Sequence, residues 1–479
     1  MSIETKEYSG YWWFSENPDK TVSGTLSIDE YEGIELRTIG SLLPQHSLFQ
    51  DCIDFPSQEI LLGQTVDGSC ITLVKPICTS QNERSSNIFA DLSKSTHNTN
   101  LAVIGKRHFS SQDEIVFSSA KVSFNLLDEW LCKSGFTARP ERNQQGQPTK
   151  FNLEYECPEV LEFDIDSIEA KFKASYIFQW KKSNLQWHLS HQPFLEISPA
   201  KPKRFDWYSE KFESLRRFLI VMTGFPISIS KIVGYGNEVL VNSRSDFKDK
   251  EKFKIHQKIH RSFLNTDHKY SAHLLMNLTL LGVGLDKVLN SWFQKSEILD
   301  PAIILYTATL SIDLGYVEFR FLNYTQGLEA LHRRVFGGKY ITDDEYESIS
   351  STLIESIPKE VSRDHRRSLE SRLKYGHEYS QRKRIKILLD DVWIGCLDGF
   401  IEDKASFVEK VVNTRNYLIH FDSSSVSKAV FGSDIFYMAE RLKILLATHI
   451  LIQLNIPREN VYRAINNFNS FSHLKCRTP

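Results

Sequence analysis

The feature that most restricts how this chain folds is a change of hydrophobic period part-way along it. From residue 10 to about 200, short runs such as "VSGTLSI", "GIELRTI", "EIVFSSAKVSF" and "EAKFKASYIF" recur between turn-forming residues, the mark of half-buried strands. After "SPAKPKR" the period becomes helical in "DWYSEKFESLRRFLIVMTG", where Asp206 is placed to cap and Gly224 to terminate. From about 270 onward almost every stretch reads as helix, including "VEFRFLNYTQGLEALHRRVF", "EDKASFVEKVVNTRNYLIH" and "SDIFYMAERLKILLATHILIQLN". This patterning predicts an α+β multidomain chain. Residues 1–200 form a β-rich, sandwich- or barrel-like domain. Residues 201–270 form a mixed connecting region, with strands and then a basic helix. Residues 271–479 form an all-α bundle. Two polar stretches, 78–100 and 138–150, read as long surface loops.

Composition narrows the function without naming it. With 58 Lys+Arg against 60 Asp+Glu the net charge is -2, so a nucleic-acid surface must be local. The seven cysteines include no CxxC pair, and the opening "MSIETKEYSG" has no secretory pattern, which points to a reduced, cytoplasmic protein. The longest apolar run, "LKILLATHILIQL", contains Lys443, His449 and Gln453 and falls short of the roughly 20 apolar residues of a spanning helix. No membrane span is expected. His256 and His260 are four apart, but lysines surround them and no Glu follows the first, so no metal site is assigned. No cofactor is assigned either, because neither a P-loop nor a G-x-G-x-x-G pattern is present. Trp12, Trp13 and Trp187 read as core residues, with a recognition groove as the alternative.

One heptapeptide, "RNYLIHF" from Arg415 to Phe421, sets an arginine, an asparagine and a histidine into an apolar run. Wound as a helix with Val411 at zero, Phe407, Val408, Val412, Leu418 and Ile419 form an apolar stripe, and Arg415 lies within it at about +40°. A guanidinium is costly to bury unpaired, so Arg415 must face a carboxylate, a cleft, a subunit interface or an anion. Asn416 and His420 stand one turn apart on the flank of the same helix. A histidine that moves protons and an arginine that holds charge are the groups required when a ribose 2'-hydroxyl attacks its neighbouring phosphate. Local charge supports such a partner. Between Arg363 and Lys386, nine Lys/Arg oppose three Asp/Glu, a net +6. Candidate RNA contacts there are Arg366, Arg367, Arg372, Lys374, His377, Arg382, Lys383 and Arg384, with Tyr375 and Tyr379 as faces for bases.

"RNYLIH" resembles the R-(polar)-x-x-x-H signature of HEPN ribonucleases. The opening "GYWWFSENPDKTVSGTLSIDEYEGIELRTIGSL" is similar to the N-terminal domain of the ApeA family of bacterial anti-phage proteins, and the helical half to the ApeA-type HEPN domain. The resemblance implies an abortive-infection endoribonuclease in which Arg415, Asn416 and His420 are catalytic. It also implies homodimerisation through the HEPN domain, RNA such as tRNA as substrate, a β domain that senses or restrains, and a phage-derived activator. Two alternatives stay open: a non-catalytic HEPN module that binds RNA, nucleotides or a protein, and a structural role in which Arg415 pairs with Glu329 or Glu440.

Overall fold

The computed structural model describes residues 5–29, 33–42, 59–84, 92–242, 245–258, 273–312, 314–421 and 423–475. They fall into two compact units, Met1–Leu219 with Ile227–Leu264, and Ile220–Pro226 with Asn265–Pro479.

The first unit is antiparallel. Its early strands are β1 (Lys6–Phe14), β2 (Asn17–Asp29), β3 (Gly33–Ile39), β4 (Ile60–Thr65), β5 (Cys70–Val74), β6 (Ile77–Arg84), β7 (Leu92–Thr99) and β8 (Leu101–Gly105). Next come β9 (Val116–Phe117), β10 (Ser119–Phe124), the short helix α1 (Leu127–Leu131), β11 (Phe136–Arg142), β12 (Pro148–Tyr155) and β13 (Leu161–Ile165). Last are β14 (Ala170–Lys182), β15 (Trp187–Pro199), β16 (Lys203–Arg204), helix α2 (Phe205–Thr223), β17 (Ile229–Asn242) and β18 (Ser245–Gln257). Among the described residues, fourteen of these strands form one sheet in the order β13-β14-β15-β10-β17-β18-β8-β5-β4-β1-β2-β3-β7-β6, while β11 and β12 pair only with each other.

Alternation builds the core. Trp12, Leu26, Leu36, Leu61, Ile71 and Leu73 point to one side of their strands and are fully buried. Gly63 lies against the Trp12 ring so closely that a Cβ there would come within 2.2 Å of it. Farther along the sheet, α2 buries Tyr208, Phe212 and Leu215, and the Tyr208 hydroxyl donates to the Phe117 carbonyl at 2.9 Å. The region expected to connect domains therefore contributes central elements. β17 and β18 sit in mid-sheet, and His256 occupies a strand paired with β8 rather than a helix; His260 lies outside the described residues. Both polar stretches are hairpins and not loops: β6–β7 closes a sheet edge, and β11–β12 stands as a separate ribbon. The inward positions of β7 are the polar Ser93, Ser95, His97 and Thr99, and β11–β12 is exposed along nearly its whole length, so neither showed the buried apolar face by which strands are recognised. Trp13 is half-buried, edge-on to His108. Trp187 is not a core residue: it is 62% exposed, because it lies beyond the point where β15 has any partner other than β14.

The second unit comprises α3 (Leu285–Gln294), α4 (Ser296–Ser311), α5 (Val317–Leu331), α6 (Asp343–Glu355), α7 (Arg363–Leu373), α8 (Gln381–Asp391), α9 (Lys404–His420), α10 (Ser433–Gln453) and α11 (Arg458–Asn467). Helix α10 is central and packs on α4, α5, α8 and α11, which explains why it is apolar nearly all round. Helix α5 ends in a π turn over His332–Phe336. Among the described residues no helix is long and apolar enough to cross a membrane.

Candidate functional site

Helix α9 begins where Asp403 accepts hydrogen bonds from the amides of Ala405 (2.9 Å) and Ser406 (3.1 Å), satisfying two of the free donors of a helix start. It ends at Phe421, whose left-handed backbone (φ 49°) turns its N–H back to the Tyr417 carbonyl at 2.6 Å. The buried positions are Phe407, Val408, Val411 and Thr414. Thr414 Oγ1 accepts the Val430 amide at 3.0 Å, pinning the chain that follows the helix. The apolar stripe therefore stops at Thr414 and does not run on as the periodicity predicted: Ile419 is 45% exposed and Leu418 only half-buried. The last turn and a half of α9 rises into solvent.

The three motif residues occupy that emergent end. Arg415 is half-buried, while Asn416 and His420 are exposed. Arg415 Nη1 donates to Asn416 Oδ1 at 3.4 Å, a long contact that leaves most of the guanidinium fork available. Neither carboxylate proposed as its structural partner is engaged with it. Glu329 accepts from Arg333 at 3.1 Å, and Glu440 pairs with Lys443. Among the described residues, Arg415 meets no carboxylate. Around it, Tyr417 packs edge-on against Phe421 and Phe431 at 5.7 and 5.2 Å. Ile419, Phe421, Val426 and Phe431 remain exposed, an apolar rim of the kind that marks an interaction surface.

The basic segment divides sharply. Arg367, Arg372, Lys374, Arg382 and Lys383 are exposed, and no ion pair engages them among the described residues; Tyr375 is 56% exposed beside Lys374. Arg366 is half committed: it pairs with Glu370 and donates to the carbonyls of Ile354 and Ile357 at the end of α6. His377 and Arg384 are corrections. His377 is 7% exposed, stacks on Tyr346 at 4.4 Å and lies 2.7 Å from Asp343. Arg384 is 2% exposed. It donates to the carbonyls of Tyr379 (3.0 Å), Gly337 (2.7 Å) and Gly338 (3.3 Å) and to His332 Nδ1 at 3.1 Å. A guanidinium can only donate, so Nδ1 of His332 carries no proton. Burial and this neighbouring cation push the His332 pKa down to about 4. These two residues hold the bundle and present nothing to a ligand. No hydrogen bond or ion pair joins the basic set to Arg415 or His420 among the described residues, although α8 packs beside α9.

The sequence reading also missed a cleft of about 760 Å³ along the first half of α9, lined among others by Glu402, Lys410, Phe431, Arg441 and His473. Its walls come from segments some seventy residues apart, so no local pattern could have revealed it.

A β-rich unit followed by a helical bundle in which R-N-x-x-x-H ends a solvent-facing helix defines the class of HEPN-bearing multidomain proteins. Two family models match: ApeA N-terminal domain 1 over residues 7–292, and Apea-like HEPN over residues 322–460. The first covers more than half of the chain, which belongs to the ApeA family of anti-phage defence proteins. Its HEPN domain supports a defence protein of the HEPN ribonuclease type. No curated protein and no solved structure matches the chain.

Proposed function

We propose that this chain is an endoribonuclease in which Arg415, Asn416 and His420 cut RNA without a metal ion. A histidine takes the proton of a ribose 2'-hydroxyl, and the 2'-oxygen bonds to the adjacent phosphorus. The bond to the 5'-oxygen breaks, and that oxygen receives a proton, leaving a 2',3'-cyclic phosphate and a 5'-hydroxyl. Arg415 holds the charge that develops on the phosphoryl oxygens through two parallel N–H donors, and Asn416 orients Arg415. The three side chains include no carboxylate, the usual oxygen ligand of Mg²⁺, so their chemistry suits proton transfer and charge stabilisation.

The observation that carries this reading is the uncommitted state of Arg415: a guanidinium five residues from a histidine on the same helix, at an end that leaves the core, with no carboxylate neighbour among the described residues. The exposed apolar rim around it fits a second copy of the chain, which would bring a second histidine to serve as acid while the first serves as base. RNA binds through Arg367, Arg372, Lys374, Arg382 and Lys383, with structured RNA such as tRNA as the leading substrate and a phage-derived component as activator. The β-rich unit restrains the nuclease until then.

The test is direct. Purified wild-type and His420→Ala protein are incubated with total bacterial RNA in EDTA, with and without phage lysate, and new ends are mapped for the cyclic phosphate. Cleavage by wild type alone supports the proposal. Cleavage by both proteins, or by neither with lysate present, removes the motif from catalysis and leaves a binding module.

A further inference from the structure

Two β-ribbons of the first unit expose a surface that the motif chemistry does not use. In the β14–β15 hairpin the pairs Phe178↔His191, Trp180↔Leu189 and Lys182↔Trp187 lie directly opposite each other, so these side chains share one face, and Lys181, paired with His188, lies on the other. In the β11–β12 ribbon the pairs Phe136↔Tyr155, Ala138↔Leu153 and Pro140↔Phe151 do the same, giving a face with no charge. At their bases the two faces meet. Tyr155 stacks on Phe178 at 4.1 Å and 17°, and its hydroxyl lies 2.9 Å from His191 Nδ1. Toward the tips they are left to water: Trp180, Trp187 and Phe151 are each more than 60% exposed, and the two indoles stack on one another at 6.0 Å.

Charge indicates what covers them. Between Ser175 and Phe194 the hairpin carries Lys181 and Lys182 and no Asp or Glu, and Lys182 Nζ stands 5.1 Å over the Trp187 ring. The other ribbon, 136–155, has Arg139, Arg142 and Lys150 against Glu141 and Glu154. An apolar peptide would satisfy the rings and leave the cations unpaired, and phosphate alone would satisfy the cations and leave the rings wet. An unpaired nucleic-acid strand does both, stacking bases on indole faces while lysines follow the backbone. We propose that these ribbons bind an unpaired segment of RNA, through stacking on Trp180 and Trp187 and a phosphate contact from Lys182, which shares their face. The proposal rests on the reading of this chain as one that acts on RNA.

The test uses the full chain carrying His420→Ala, so that RNA is not cut, together with Arg367→Ala and Arg372→Ala, so that helical cations do not mask the ribbons. Anisotropy of a labelled, unstructured oligoribonucleotide then gives Kd. Adding Trp180→Ala and Trp187→Ala should raise Kd about tenfold or more. Phe at both positions should restore most of the affinity, a recovery that lost folding would not permit. Lys182→Glu should weaken binding and flatten its salt dependence, and Lys181→Glu, on the opposite face, should do so less. Absence of binding, or equal Kd in all variants, would overturn the proposal. Cleavage by the wild-type chain is scored separately: cutting that persists alongside ribbon-independent binding sinks this proposal alone, and binding without cutting sinks the nuclease reading alone.

Discussion

Arginines show how differently one residue type is used in this chain, and why the sequence could rank but not sort them. Arg415 and Arg384 both fall in mixed apolar and basic stretches. The first keeps its fork free at a surface, and the second is buried among three carbonyls and a histidine. The free one was legible, because a single helical winding placed it outside the polar face. The buried one was not, because its partners at 332, 337 and 338 come from a distant turn. The two should separate by experiment. Arg415→Lys should lower cleavage by about 100-fold, since an ammonium cannot make the paired contact, with no change in unfolding midpoint. Arg384→Ala should cost about 3 kcal/mol by leaving buried carbonyls unpaired, as read from urea unfolding, and should leave RNA affinity of the folded fraction intact. An Arg384 variant of normal stability and weak RNA binding would return that residue to the interface.

At the scale of elements, strongly periodic segments were legible and weakly patterned ones were not. Helices α5, α9 and α10 follow the runs that announced them, and Glu329 pairs with Arg333 one turn on, not with Arg415. The helical reading from about 270 onward first holds, among the described residues, at Leu285–Gln294, after a 3₁₀ turn at Leu278–Leu280, because Gly282 takes a left-handed backbone (φ 69°) and Gly284 stands at the cap. The β6–β7 hairpin turns polar residues inward and β11–β12 is exposed along nearly its whole length, so neither offers the buried apolar face on which strand recognition depends. Helix α9 offers the cleanest element-level test. Asp403 satisfies two amides at its start, and Asp403→Ala should cost about 1 kcal/mol. Thr414→Val removes the acceptor of the Val430 amide inside the bundle and should cost about 1 to 2 kcal/mol. The second change should also reduce cleavage, because it loosens the chain beside the emergent motif, whereas the first acts more than three turns away. Equal losses of activity in both variants would show that overall stability, and not placement of the motif, sets the rate.

Across the whole molecule, buried neutral histidines tie stability to pH in both units. Desolvation pushes His97 and His256 in the β-rich unit and His332 and His449 in the helical unit down to about 4. His332 receives a guanidinium N–H and is held neutral by that neighbour as well as by burial, whereas His449 donates its Nε2 proton to the Leu388 carbonyl at 2.9 Å and is held neutral by burial, which outweighs that bond. Unfolded, each would titrate near 6.5. Between these values the unfolded chain binds more protons than the folded one, so stability is fully present above about 6.5 and falls as pH drops toward 4, by about 1.4 kcal/mol per pH unit for each histidine. Urea unfolding at pH 7.5, 6 and 5 should show the midpoint falling in step with acidification. His332→Gln with His449→Gln should remove most of that slope from the transition that reports the helical unit, since a glutamine cannot take up the proton. A slope that the double variant leaves unchanged would assign the acid response to His97 and His256. The β-rich unit would then be the one that loosens first, and a chain held in check by that unit would be released, not silenced, by mild acid.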